Sequence, residues 1–314
     1  MTMNLSQRLI QCKRIAVLTD LGSDSEKTAL YASSLARWYG SELSFFHAAS
    51  GSASKRDAEE KLKSLINKTN IQDLAPKVVT REASVGTILE EVDEYRPSLL
   101  VLATHGRKGI RKWLVGSVVE EAFRKVQWPV LVLGPEFSIA ATPQKQFEQI
   151  LYSTDLSPVS VTALQYAAGI AHDHEAQLTA LYVESDPELG FSFDRAMAQQ
   201  RMQDWMQDHI NGSSTALTGA HYVVEFGKPE TKIIEAAMER KTDLVVLGAR
   251  GLGAVSGPAS HFLGGTAYEV CCSSRCPVLI VPQPLRTGPF GDLITSAWHG
   301  TLVSVMLVTA GHVG

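Results

Sequence analysis

Cysteine is scarce in this 314-residue chain: Cys12, Cys271, Cys272 and Cys276 are the four present. A disulfide framework is not expected in a chain of this size without secretion signals. Cys272 and Cys276 stand four apart, but no second His/Cys pair at zinc spacing lies near them, so all four read as buried or partly buried thiols. Charge of one sign is also lacking. Lys and Arg number 29 against 33 Asp and Glu, a net charge of −4. That balance excludes a general electrostatic pull toward nucleic acid or an anionic membrane. The opening stretch, MTMNLSQRLIQCKR, has too few apolar residues for a signal peptide, and a cytoplasmic protein is expected. A phosphate-binding G-x-x-x-x-G-K-[ST] loop is absent. No base stands beside a nucleophile in any recognisable catalytic pattern.

What is present is a repeated alternation of apolar strands and helical periods. Hydrophobic residues make up 45% and charged residues 20%, ordinary for a protein with real cores. The length suits two domains. In the first half, strands are expected at Arg14–Thr19, Leu43–Phe46, Lys77–Thr80, Leu99–Leu102 and Val130–Leu133. Helices are expected over Thr28–Tyr39, Lys55–Lys68 and Val85–Tyr95, with another after Gly116. Ser23, three before Glu26, predicts a capping box, and Gly40 a helix stop. The second half repeats the series. Its strands are Ile150–Thr154, Leu178–Tyr182, Tyr222–Glu225, Asp243–Leu247 and Val278–Val281. Its helices are Ala163–His172, Arg195–Ile210 and Thr231–Arg240, with another after Thr266, and Ser157 is expected to cap the first of them ahead of Pro158. Strands and helices alternating at these lengths predict an α/β fold of two tandem flavodoxin-like or Rossmann-like domains. Each would be an open parallel sheet of about five strands flanked by helices.

The register of the repeat is measurable. Asp20 and Asp155 stand 135 residues apart, Gly106 and Gly251 145, and Pro129 and Pro277 148. A slow drift of this kind is what small loop insertions after a tandem duplication produce. The expected division is 1–138 for the first domain, 139–149 for a Pro-containing linker and 150–285 for the second. A tail over 286–314 follows. Its stretch Leu293–Ala310 has no Asp, Glu, Lys or Arg, but Gly300 and several Ser and Thr dilute it. We expect it to pack on the second domain, add a strand or lack order, rather than span a bilayer.

Open α/β sheets bind ligands at the carboxyl ends of their strands. In the first half that places Asp20, Ala48, Leu102, Ala103, His105, Gly106, Gly116, Ser117 and Val118 together. In the second it places Asp155, Val183, Leu247, Gly248, Arg250, Gly251, Gly265, Thr266 and Ala267 together. Such a set suits an anionic ligand with a flat apolar head. Ala48 and Leu102 could sandwich a base, Asp20 could accept from sugar hydroxyls, and amides at Gly106 and Gly116–Val118 could hold phosphates. Plainer readings stand beside these. Ser117-x-x-Glu120 and Thr266-x-x-Glu269 are also capping boxes. Asp20 and Asp155 could serve loop amides alone. Arg107, Lys108, Arg111 and Lys112 read as a solvated basic face that flanks the phosphate position, and His47 and His105 as hydrogen-bonded structural histidines.

A glycine-rich segment between a buried strand and a helix, present in both halves, resembles the G-x2-G-x9-G-[S/T] signature of the universal stress proteins in tandem form. Gly106, nine residues and Gly116-Ser117 match it, with Ala103 in place of the leading glycine. Gly248 and Gly251 match it too, but thirteen residues precede Gly265-Thr266. The resemblance runs from about Lys13 to Val281. It implies an adenine-nucleotide-binding regulatory protein of stress survival, with ATP as ligand, alone or with Mg2+, and a dimer formed through the last strand. It implies at most weak ATPase activity, and an unknown regulatory protein as partner. Because each half ends in an apolar strand that would otherwise be an open edge, an intramolecular pseudo-dimer is expected, with a homodimer as the alternative. Two further functions compete. One is cleavage or transfer at the α-phosphate of ATP, whose S-G-G-x-D-S and H-x-G-H patterns do not occur here. The other is a nucleotide-free interaction scaffold.

Overall fold

The structure is a computed structural model that describes residues 8–49, 52–82, 84–104, 127–138, 147–185, 194–210, 217–249 and 265–282. The first half runs β1 (Arg14–Leu18), α1 (Ser25–Tyr39), β2 (Glu42–Ala49), α2 (Ser52–Lys68), β3 (Lys77–Glu82), α3 (Val85–Tyr95), β4 (Leu99–Ala103) and β5 (Val130–Leu133). The second runs β6 (Gln149–Thr154), α4 (Val161–His174), β7 (Gln177–Glu184), α5 (Arg195–His209), β8 (His221–Phe226), α6 (Pro229–Glu239), β9 (Leu244–Gly248), α7 (Gly265–Ser273) and β10 (Val278–Val281). These elements follow the apolar periods of the sequence closely. Both helix α1 and helix α3 end on left-handed residues, Gly40 at φ 68° and Arg96 at φ 51°, which satisfy the last carbonyls.

Helix starts depart from the sequence reading in two places. Helix α1 begins at Ser25 with Asp24 before it, so Ser23 forms no capping box. Ser157 leads into a short 3-10 turn, Pro158–Ser160, and its side chain does not cap it. Its hydroxyl donates back to Asp155 Oδ1 at 2.5 Å, a local bond that competes with capping.

All ten described strands join one sheet in the order β3-β2-β1-β4-β5-β10-β9-β6-β7-β8. Within each half every pair is parallel, and the order 3-2-1-4-5 recurs as 8-7-6-9-10. The halves meet where β5 pairs antiparallel with β10, Val132 opposite Val278 and Val130 opposite Ile280. The two strands, VLVL and VLIV, are buried along their whole length. Their free edges are therefore used up against each other, and the outer edges fall to β3 and β8, which carry Lys77, Arg81 and Glu82, and His221 and Glu225.

Two apolar layers cover the sheet. On one face α1, α4 and α5 form a core continuous across both halves, from Ala29 and Leu35 through Leu164 and Ile170 to Met202. On the other, α3, α6 and α7 pack over Leu100, Leu102, Val245 and Leu247. Two glycines lie close against the other half. A Cβ on Gly134 would stand 2.6 Å from the carbonyl oxygen of Cys271, and one on Gly169 would stand 2.7 Å from Ile10 Cδ1. Backbone cannot yield as a side-chain tip can. Gly134→Ala should therefore destabilise the chain by about 1–3 kcal/mol. Gly169→Ala should cost less, because Ile10 can rotate and alanine favours a helix interior by about 1 kcal/mol. Urea unfolding of the two variants checks the order; a costlier Gly169→Ala would contradict it.

Candidate functional site

In a sheet ordered 3-2-1-4-5 the order in which strands are added reverses between β1 and β4, and the crevice at their carboxyl ends is where such folds receive ligands. The corresponding crevice of the second half lies between β6 and β9. Strand β1 ends at Leu18, opposite Phe46 of β2, and its Val17 lies opposite Val101 of β4. This register sets Asp20 beside the ends of β2 and β4. Ala48 is half-buried near the end of β2, and Leu102 and Ala103 close β4.

The turn after β1 is built from its own side chains. The Leu21 amide donates to Thr19 Oγ1 at 3.0 Å, and the Gly22 amide to Asp20 Oδ1 at 2.8 Å. Thr19 Oγ1 also meets Ser25 Oγ at 2.9 Å, which ties the strand end to the first turn of α1. Leu21 adopts φ 60°, a left-handed conformation that costs a non-glycine residue about 1–2 kcal/mol. The second half repeats each part. Leu156 sits at φ 57° and donates to Thr154 Oγ1 at 2.9 Å. Thr154 Oγ1 meets Ser160 Oγ at 3.0 Å, and Asp155 Oδ1 accepts from the Ser157 amide at 3.1 Å. A strained turn held by the same three bonds in both copies puts an aspartate at each switch point. These bonds agree with the plainer reading that the aspartates serve loop amides, and they also fix where each carboxylate stands.

His47 Nδ1 contacts the Thr19 carbonyl at 2.8 Å, so this histidine braces the same turn from β2. Leu102 and Leu247 are 1% and 4% exposed, packed in the core over α3, α6 and α7. What they offer a ligand is therefore backbone rather than side chain. Val183 lies half-buried toward the end of β7 and Gly248 ends β9 opposite Val281. Gly265 and Thr266 occupy the first turn of α7, and Ala267 turns into the core. His105, Gly106, Gly116, Ser117, Val118, Arg250 and Gly251 lie outside the described residues, as do Arg107, Lys108, Arg111 and Lys112 and the tail over 286–314. The residues that sequence reasoning missed are Thr19 and Thr154, Leu21 and Leu156, and Ser25 and Ser160. Their signal was the repeat of Thr-Asp-Leu at the 135-residue offset with a serine six positions after each threonine.

The cysteines are free, with Cys12, Cys271 and Cys276 buried and Cys272 partly so. Burial pushes the Cys12 thiol up to about 12, which makes it a poor nucleophile near neutral pH. Among the described residues no three His, Cys, Asp or Glu side chains group to hold a metal, and no helix is long and apolar enough to cross a membrane.

A five-stranded doubly wound unit, present twice with the same aspartate turn at each switch point, defines a duplicated flavodoxin-like α/β fold. The model of the universal stress protein family matches residues 11–134 and 146–282, and the chain belongs to that family. A universal stress protein of Thermus aquaticus is 34% identical over 140 residues, which is 43% of this chain and 98% of that protein. One from Mycobacterium tuberculosis is 27% identical over 209 residues, 63% of this chain and 66% of its own length. Among solved structures, a universal stress protein from Archaeoglobus fulgidus shares the fold with a TM-score of 0.65 at 19% identity, over 90% of this chain and 99% of that one. A protein of unknown function from Pseudomonas aeruginosa gives 0.60 at 17% identity, over 87% and 93%.

Removal of the threonine hydroxyl tests the turn. The Ser160 hydroxyl donates to the Ser157 carbonyl at 2.7 Å and so accepts from Thr154. Thr154→Val leaves the Leu156 amide without its acceptor and the Ser160 hydroxyl without its donor, and should cost about 1–2 kcal/mol. Thr19→Val should cost a similar amount in the first half. Thermal unfolding measures both, and a neutral effect in either would mean that the turn is held by other bonds.

Proposed function

We propose that this chain is a regulatory stress protein that binds an adenine nucleotide, ATP, at the carboxyl ends of the strands in each half. The observation that carries this reading is the duplicated turn at the switch point, which costs backbone strain at Leu21 and Leu156 and holds a carboxylate beside the crevice. Strain kept twice at the same place points to function rather than accident. In this reading Asp20 and Asp155 accept from ribose hydroxyls. Ala48 and Val183 flank the base, with the strand-end backbone at Leu102, Ala103, Leu247 and Gly248 beneath it. The phosphates lie against the glycine-rich segments, Gly106 with Gly116–Val118 in one half and Gly251 with Gly265–Ala267 in the other; at Gly265 the start of α7 offers free N–H groups. His105 and Arg250 border the phosphate path.

The first half is the tighter site in this reading. Its segment keeps the nine-residue spacing and carries Arg107, Lys108, Arg111 and Lys112. The segment Leu252–Gly264 has no charged residue, and its extra length adds ordering entropy. Each exposed charge adds only about 0.2–1 kcal/mol, yet four act together. In this reading the nucleotide acts as a regulatory ligand rather than a substrate.

The test is calorimetric titration of the full chain with ATP, since cutting the halves apart would bare strands β5 and β10. Gly116→Asp places a carboxylate where phosphate must approach and should cost about 2 kcal/mol or more of binding. Gly265→Asp, whose Cβ meets nothing within 4 Å among the described residues, should cost less overall. No heat and no nucleotide in an acid extract of the purified protein would favour the scaffold reading. Steady release of phosphate at a useful rate would favour an ATP hydrolase. Equal losses in the two variants would overturn the ranking of the halves.

A further inference from the structure

The seam between the halves carries a polar cluster on the face opposite Gly134, at the ends of helices α1 and α4. His174 stands 135 residues after Tyr39, the offset of the duplication, so the two are mates across the internal pseudo-two-fold axis. Their side chains meet: Tyr39 Oη and His174 Nε2 are 3.0 Å apart. The other ring nitrogen, Nδ1, accepts from the Phe147 amide at 3.3 Å. A backbone N–H can only donate, so Nδ1 is bare and Nε2 carries the proton that is donated to Tyr39. The ring stacks on Trp38 at 4.7 Å between centroids and packs against Phe147 at 4.7 Å.

The neighbours disfavour a second proton. The Arg8 guanidinium lies 4.6 Å over the Trp38 ring and 5.4 Å over Tyr39, and one of its N–H groups donates to the Trp38 carbonyl. Asp173 is 1% exposed, and its carboxylate is taken up by the amides of Leu9 and Ile10 at 2.7 and 2.8 Å. It also meets His172 Nδ1 at 3.3 Å. Tyr166 and Cys12, both buried, face the same seam beside a cavity of ≈ 40 Å³ that Tyr39 and Phe147 also line.

We propose that this cluster is an acid-operated latch: protonation of His174 breaks the Phe147–His174–Tyr39 chain of hydrogen bonds and loosens α1 from α4, while β5 and β10 stay paired. An imidazolium would point an N–H at the Phe147 N–H and set a second cation beside Arg8, with the Asp173 oxygens already committed to backbone. Burial first, and the Arg8 charge second, lower the His174 pKa from 6.5 to about 3. The sign follows. A histidine depressed in the closed state stabilises it fully above about 6.5, and that stability is lost as pH falls toward 3. Opening should grow about tenfold per pH unit over this window. Burial raises the Asp173 carboxyl, which acts the other way on acidification, so Asp173 needs its own control.

Hydrogen–deuterium exchange on the full chain, corrected for intrinsic rates, reads the latch at residues 8–12 and 33–40. Between pH 6.5 and 4.5 protection there should fall about a hundredfold, with the β5–β10 amides unchanged. His174→Gln can still accept from Phe147 and donate to Tyr39 but does not titrate, and its protection should be flat with pH. Asp173→Asn should keep the acid response. Acid loss in His174→Gln equal to wild type, a flat wild type, or loss of the response in Asp173→Asn alone would each overturn the proposal. Should His174→Gln fail to fold, nitrogen spectra of the wild-type ring decide. A neutral Nε2–H form in the closed protein down to pH 5 supports the latch, and an imidazolium formed near pH 6.5 with protection intact overturns it.

Discussion

A four-residue apolar strand with a bare edge is a liability in water, and this chain has two of them. Strands β5 and β10 are hydrophobic at every position and buried on both faces, so neither could serve as the rim of a sheet. Their antiparallel pairing removes both edges at once and turns two five-stranded units into one ten-stranded sheet. The rest of the architecture follows from that pairing. It brings α1 over α4 on one face and Gly134 against the end of α7 on the other. It also leaves the strand ends that bear Asp20 and Asp155 on the central strands of their halves, each separated from the seam strands by one strand, β4 or β9.

Duplication has been treated differently by the two regions. At the switch points the copies agree bond for bond: threonine to leucine amide, aspartate to the second amide on, threonine to the serine of the helix. Along the pseudo-axis they diverge, with Tyr39 facing His174, Trp38 matched by Asp173, and Cys12 by Phe147. In a symmetric dimer a residue on the axis meets its own copy, and a donor must then face a donor. Joining the copies in one chain lifts that restriction. A phenol can meet an imidazole, and a carboxylate from one half can take two amides from the other. The agreement fits a shared local task and the divergence a seam that need not be symmetric.

The strands, nearly all the helices, the duplication and the positions of Asp20, Ala48, Ala103, Asp155, Val183 and Gly248 were legible in the sequence, because each depends on local periodicity and on loop chemistry at strand ends. Capping was less legible. Ser23 and Ser157 have the right spacing for caps, but short polar side chains have several amides and carboxylates within reach, and Ser157 bonds to Asp155 instead. The inward burial of Leu102 and Leu247 was likewise hidden, since a run apolar at every position does not say which face each residue takes. Tertiary structure alone decided that β5 would pair with β10, that Gly134 would lie against the Cys271 carbonyl, and that Arg8, Asp173 and His174 would share one buried cluster. Those contacts join residues more than a hundred positions apart, and their energy comes from burial and hydrogen bonds that exist only once both halves have folded onto each other.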